Sequence, residues 1–255
     1  MDPSLMELLE STVQHRDVQT LASKTLPRIV RYVGADNGSL MLLAGERVIH
    51  KVLANKETFT EVSEHKIRTV LAEGLAGWAL RHRQGALASN TALDERWVSM
   101  GDTSIGSALV VPLMIRGGAV GLLSLHHPEP GHLRELHLAK AAELAQLLAV
   151  PFEMALMIES AMAALATQCR CAANPSVVLD WDGNVRVVNA AMQALDIAWE
   201  GVNYAQTLLP RELGAASVAE CDWDGVRPLV TQSFGAHAIP FRGAGVWIEL
   251  VDRTV

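Results

Sequence analysis

Cysteine comes first among the residues that could do chemistry here, because its thiolate is both a nucleophile and a soft metal ligand. The chain carries three, Cys169, Cys171 and Cys221. Cys169 and Cys171 have one residue between them, a poor spacing for zinc, and three unevenly placed cysteines make no disulfide framework. Residues 1–168 contain no thiol at all. His15-Arg16-Asp17 has the residue types of a phosphoryl-transfer loop. There the metal-binding Asn follows the Asp by five residues, and Ala22 stands at that place. His126-His127 closes a predicted strand just before a proline-containing turn and reads as an exposed pair. His237 falls on another predicted strand; it is either a haem ligand or an ordinary strand histidine, and the second is expected. These residues supply no nucleophile–base pair, metal cluster or phosphate loop. The expectation is a chain that is not an enzyme, with no catalytic or metal-binding residues and an unknown cofactor.

The composition suits a folded binding module. Half of the 255 residues are apolar and 19 % are charged, a globular balance. A net charge of −7 and the lack of a Lys/Arg-rich block exclude nucleic acid as a direct partner, since phosphate binding needs a basic face. The opening MDPSLMELLE lacks the basic n-region of a signal peptide. The most apolar stretch, 144–166, includes Glu153 and Glu159, and carboxylates there argue for a buried helix over a membrane span. With few cysteines, a cytoplasmic location is expected.

Periodicity supplies the elements that must position any site. A helical face runs over 18–33, with Pro27 a point of kinking. Strands are predicted at 39–43 and 47–54, helical turns at 67–71 and 78–81, and a hairpin at 108–115 and 119–125 around Gly117-Gly118. The first strand of that hairpin is apolar on both faces. Its sheet is either covered on both sides or lines a pocket with one of them. From His132 to Gln168 the pattern is helical. Leu144, Leu148, Ala155, Ile158, Met162 and Leu165 follow at spacings that fit a coiled-coil seam, with Pro151 interrupting. The expectation is a parallel homodimer through these residues, against the plainer reading of a helix covering its own sheet. Strands return at 177–180 and 184–188 around Asp182-Gly183, then a helix at 190–198, then strands at 237–241 and 246–251 on either side of Gly243–Gly245. The fold class is α+β, with two domains that each have a central antiparallel sheet. The division is an N-terminal helix at 1–14, a first domain at 15–131, a connecting helix at 132–171 and a second domain at 172–255.

GADNGSLMLL (34–43), EGLAGWALRHRQGALASNTALDERW (73–97) and SALVVPLMIRGGAVGLLSL (107–125) occur in the order of a GAF domain. The first resembles that family's opening strand. The second resembles its glycine-rich segment, short helix, strand and D-x-R turn, here Asp94 and Arg96. The third is similar to its P-L…G-x-L-x-L hairpin. NPSVVLDWDGNVRVVNAAMQALD (174–196) and WIELVDRTV (247–255) resemble the ends of a PAS domain, with Asn189 at the characteristic asparagine and Asp252-Arg253-Thr254 as the closing D-x-T. The middle, 199–233, departs from that pattern.

The resemblance implies the sensory region of a bacterial signal-transduction protein, such as a sensor histidine kinase. It would bind a small molecule in the GAF half and relay the signal through dimer helices to a C-terminal output domain beyond this chain. The rival reading is a dimerisation and interaction scaffold that binds no ligand. Ser39, Met41, His50, Trp78, Ser89, Thr91, Asp94, Trp97 and Ser107 are the expected pocket residues. Without a thiol before Cys169, covalent bilin and the chemistry of GAF-type sulfoxide reductases are both excluded. Asn55-Lys56 and Asp94-Glu95 are similar to part of a cyclic-nucleotide signature, but Asn90 occupies the place of its Phe. Asn189, just before a helix, is assigned to capping it.

Overall fold

A computed structural model describes residues 17–45, 47–54, 64–99, 104–179, 185–194, 234–241 and 245–252. The chain divides into two compact units between Leu156 and Met157. In the first, helix α1 (Val18–Val33) starts where the Asp17 carboxylate accepts from the Thr20 N–H at 2.7 Å, an N-cap. It ends at Gly34, whose φ of +83° is open to glycine and lets the Gly34 and Ala35 N–H groups close on the Val30 carbonyl. Pro27 lies inside the helix. Strands β1 (Asn37–Ala44) and β2 (Arg47–Leu53) follow, then helices α2 (Glu64–Ala72) and α3 (Leu75–His82), then β3 (Ala86–Ala88), β4 (Ser107–Ile115) and β5 (Gly118–His127). They form an antiparallel sheet in the order β2-β1-β5-β4-β3.

The central strands are apolar on alternate sides because both sides are covered. Leu40, Leu42, Leu109, Val111, Leu123 and Leu125 point to one core, filled by Leu21, Leu26 and Ile29 of α1 and by Leu144, Leu148 and Phe152 of helix α4 (Glu135–Cys171). Met41, Leu43, Val110 and Leu122 point the other way, under Leu75, Ala76 and Ala79 of α3. The approach of α3 to α2 is close: a Cβ on Gly77 would lie 2.0 Å from the Leu71 carbonyl oxygen. Only glycine fits there.

The expected helix-pairing stripe on α4 is already used inside the chain. Leu144, Leu148 and Ala155 are 0, 1 and 3 % exposed in the first core. Leu165 packs with Cys169 against Val178 in the second unit, and Met162 is half-buried beside them. Ile158 is half-buried. Four-three spacing defines one apolar face of a helix, and a sheet of leucines occupies that face as well as a second helix does. α4 is also long and apolar enough, by length and composition, to cross a membrane. A bilayer would have to displace the sheet from Leu144, Leu148 and Phe152.

In the second unit β6 (Ser176–Leu179), β7 (Val185–Val188), α5 (Ala190–Gln193), β8 (Phe234–Phe241) and β9 (Gly245–Asp252) build a small antiparallel sheet in the order β7-β6-β9-β8. His237 stands on β8, opposite Glu249 in the register. Asn189 is 2 % exposed and uses its whole amide. Its Oδ1 accepts from Met192 N–H, capping α5, and from Ser176 N–H, both at 2.9 Å; its Nδ2 donates to the Ala172 and Asn174 carbonyls. The N-terminal helix at 1–14, His15-Arg16, Asn55-Lys56, the Asp182-Gly183 turn, residues 199–233 with Cys221, Gly243-Ala244 and the 253–255 exit lie outside the described residues.

Replacing Asn189 with alanine removes all four bonds and leaves buried backbone groups unpaired. The expected loss is about 1–3 kcal/mol, concentrated in the second unit and read as weaker hydrogen-exchange protection at Val177–Leu179. Unchanged protection there would contradict the role given to the amide.

Candidate functional site

The sheet face under α2 and α3 opens into a mostly apolar cavity of about 80 Å³. Its floor comes from residues that share one face by strand register. Ser39 is opposite Ser124, Met41 is opposite both Lys51 and Leu122, and His126 is opposite Ala108. Val70, Leu75 and Ala76 close it from the helices, and Trp97 and Val98 from the loop after β3. Its polar side chains therefore carry two hydroxyls, an ammonium, an imidazole and the Trp97 indole, set among carbon. Burial holds the half-buried Lys51 ammonium below its usual pKa.

Of the expected pocket residues, Ser39, Met41 and Trp97 line this cavity. His50 is opposite Leu42, which belongs to the α1/α4 core, so Lys51 takes the pocket side in its place. A bulge between Leu42 and Leu43 shifts the β1–β2 register, and a shift of one residue exchanges faces. Trp78 stacks on His82 at 4.1 Å and receives the Arg96 guanidinium 5.0 Å from its ring centre. The Thr91 hydroxyl donates to the Ile105 carbonyl. The buried Ser107 hydroxyl donates to the Glu129 carbonyl at 2.8 Å and accepts from Leu133 N–H. These two serve as loop ties. Ser89 and Asp94 line a separate shallow depression with Asn90 and Arg96.

The D-x-R turn is a clasp. Arg96 Nε donates to Asp94 Oδ1 at 2.9 Å and Nη2 to Oδ2 at 2.7 Å, while Nη2 also donates to the Leu87 carbonyl on β3. The Arg96 hydrogen bonds hold the Asp94 carboxyl below the usual carboxylate range, against a smaller opposing effect of burial. The clasp thus anchors the loop carrying Trp97 to the edge of the sheet.

Residues 126 and 127 are both half-buried, not exposed as a pair. β5 runs on to His127, and strand alternation sends His126 to the pocket and His127 to the opposite side. His127 stacks on His132 with ring centres 3.5 Å apart and planes 7° apart. With Glu129 they present one possible metal ligand atom each, all within 4.8 Å of one another. Imidazole lone pairs lie in the ring plane, and two parallel rings at this separation cannot both aim at one ion with bonds of about 2.0–2.1 Å. His127 Nδ1 also accepts from Glu129 N–H, and His132 Nε2 bonds the Gly34 carbonyl. The cluster is a strut between the end of β5 and the end of α1.

The residues missed by sequence reasoning are Lys51, Ser124 and His126. For Ser124 and His126 the signal is alternation, polar residues two apart on an apolar strand; Lys51 carries no such mark, because His50 stands beside it.

The first unit is an α+β domain, a five-stranded antiparallel sheet covered by helices with a cavity beneath the short ones. The GAF domain family model matches residues 15–153, more than half of the chain. The protein belongs to the GAF domain family. Among solved structures, free methionine-R-sulfoxide reductase from Neisseria meningitidis, in complex with its substrate, is similar with a TM-score of 0.51 and 15 % identity, over 62 % of this chain and 94 % of that one. A protein described as a GAF sensor from Burkholderia vietnamiensis gives a TM-score of 0.50 and 14 % identity, over 60 % and 93 %. At such identities the likeness is one of fold. No curated protein sequence matches the chain.

Asp94→Asn tests the clasp through pH. A carboxyl whose folded pKa is depressed stabilises the fold above its unfolded pKa, and the contribution is lost as pH falls through the folded value. The pair is partly exposed, so about 0.2–1 kcal/mol is expected. In urea unfolding from pH 7 to pH 2.5, the wild type should lose this increment below about pH 4, whereas Asp94→Asn should already lack it at pH 7. Parallel curves would remove the clasp from the account.

Proposed function

We propose that this chain is the sensory region of a bacterial signal-transduction protein. A small molecule binds in the GAF cavity and biases α4, which passes the signal to a C-terminal output domain outside this chain. The observation that carries the reading is the cavity, apolar with a few placed polar groups as ligand sites are. Its floor and the bed of α4 are opposite faces of the same strands. A ligand that fits two arrangements of those strands unequally would shift α4 by its difference in affinity.

The second unit is read as PAS-like. Its opening strand pair, capped helix and closing strand beside the first support that reading. Reductase chemistry is not part of the proposal: the GAF unit has no cysteine to attack a sulfoxide. A cytoplasmic location suits the free thiols of Cys169 and the exposed Cys171.

The homodimer is kept, with a different seam. Leu147, Val150, Met154 and Met157 are 39–64 % exposed on α4, and their three-four-three spacing continues a coiled-coil pattern beside the face that the sheet occupies. A second copy of the same helix is the partner that such a stripe fits.

Two measurements test the proposal. Met154→Glu should convert a dimer to a folded monomer in analytical ultracentrifugation, while Leu148→Glu should unfold the first unit. A wild type that is monomeric at high micromolar concentration would remove the dimer. For sensing, the Met41 methyl can be labelled with carbon-13, assigned with Met41→Leu, and followed through a small-molecule screen. Binding should shift it saturably, and Ala108→Leu, which fills the cavity floor, should abolish the response. If no compound moves the Met41 signal, the scaffold reading replaces the sensor.

A further inference from the structure

His127, His132 and His137 form one column of rings where the chain passes from β5 into α4. The ring centres of His132 and His137 are 5.8 Å apart with planes 11° apart, which extends the His127–His132 stack. Each end of the column accepts a backbone hydrogen bond. Glu129 N–H donates to His127 Nδ1 at 3.1 Å, and Arg134 N–H donates to His137 Nδ1 at 3.0 Å. In the middle, His132 Nε2 donates at 3.0 Å to the carbonyl of Gly34, the residue that ends α1.

An imidazole nitrogen accepts only while it keeps its lone pair, so both end bonds exist only with neutral rings. His137 also holds a particular place. Arg134 immediately precedes α4, so His137 stands where a capping box has Glu or Gln reaching back to the N-cap N–H. A protonated imidazole there has no acceptor to offer, and it adds positive charge to the positive end of the helix dipole.

We infer that this column is a pH-sensitive latch: neutral histidines fasten the first turn of α4 to the end of β5 and the end of α1, and protonation of His137 releases that turn. The latch needs no ligand in the cavity and stands apart from the sensor reading. Where α4 carries the signal, as proposed above, acidity is a second input to the same helix.

The surroundings favour neutral His137. Burial first, then the charges of His132, Lys140 and Arg134, hold its imidazole below the usual histidine pKa. Lys140 lies over the Tyr32 ring of α1 at 5.6 Å, and Arg134 Nε is turned back to the Gly131 carbonyl. The acids nearby are Glu129, whose Oε2 is 3.8 Å from His132 Nδ1, Glu135 at the head of α4, and exposed Asp36, whose N–H donates to the His126 carbonyl. A histidine whose folded pKa is lowered gives its full stability above the unfolded value of about 6.5, and loses it as pH falls through the folded value. The latch is therefore closed at neutral pH and opens in mild acid.

Amide exchange read by nuclear magnetic resonance on the full chain tests this, with each rate divided by its unstructured rate at the same pH. The reporters are the Arg134 N–H and the Leu138 N–H, which donates to the Arg134 carbonyl. Between about pH 7.5 and about pH 5 their protection should fall about fivefold or more, the effect of a lost cap. Amides of Leu109–Val111 in the central strand β4 are the reference and should keep theirs. His137→Gln retains an acceptor at the capping position and does not titrate, so both reporters should stay protected at both pH values. His137→Leu should leave them exchanging fast at both. Equal protection of Arg134 at the two pH values in the wild type overturns the latch. So does a His137→Gln protein that loses protection in acid as the wild type does, or a loss shared by β4. Should His137→Gln fail to fold, His137→Glu, the other capping-box residue, takes its place.

Discussion

The pairing of β5 between β1 and β4 is the contact on which the rest of this molecule depends. It makes three adjacent strands central, so each must bury both of its faces, and the two-residue alternation of a strand then assigns every side chain to one of two environments. Leu123 and Leu125 go to the α1/α4 core; Leu122, Ser124 and His126 go to the pocket side. Gly121 permits this closeness, since a Cβ there would stand 2.8 Å from the Met41 carbonyl oxygen. The sheet is thus a wall with a packed side and a side that can receive a ligand.

That division explains the uneven use of polar residues. On the packed side the middles of β1, β4 and β5 contribute carbon, because an unpaired polar group there would lack any partner. On the other side, serine, lysine and histidine are interleaved with methionine, leucine and valine. Polar side chains elsewhere in the unit are spent on tying loops to the sheet: Thr91 holds the connection before β4, Ser107 the connection after β5, and the Asp94–Arg96 clasp the loop of Trp97. The family's recurrent turn residues therefore position the pocket wall without lining it. Arg96 acts at a distance from any ligand, through Leu87 and Trp78.

Much of this was legible in the sequence. Hairpin turns, the Asn189 cap and the helical periods locate most of the described elements, because local chemistry determines them. The order of GAF-like segments located the first unit. What remained hidden depends on partners far apart in the chain. His50 was preferred to Lys51 because nothing local reveals the bulge between Leu42 and Leu43 that sets the β2 register. His126 and His127 looked like an exposed pair because a strand's last residues carry no mark of its length. Thr91 and Ser107 were polar in the right segments, but their hydroxyls are committed to carbonyls 14 and 22 residues away.

What buries each face of α4 is hidden for the same reason. An apolar stripe on a helix reports that the face is buried and says nothing about what buries it. On α4 the stripe through Leu144 and Leu148 is held by the sheet, which leaves Leu147, Val150 and Met154 on an adjoining face. One helix thus has two apolar faces, one packed within its own domain and one outward. In the proposed function, a movement of β1 or β5 on ligand binding would reach Leu144 and Leu148 through packed leucines and carry the outward face with them, because the helix backbone is stiff over that length. A coupling of about 1–3 kcal/mol is typical of such linked sites. The energy is comparable to one altered core contact, so under the proposed function a displacement too small to disturb the fold would be enough to change how the outward stripe meets a second copy.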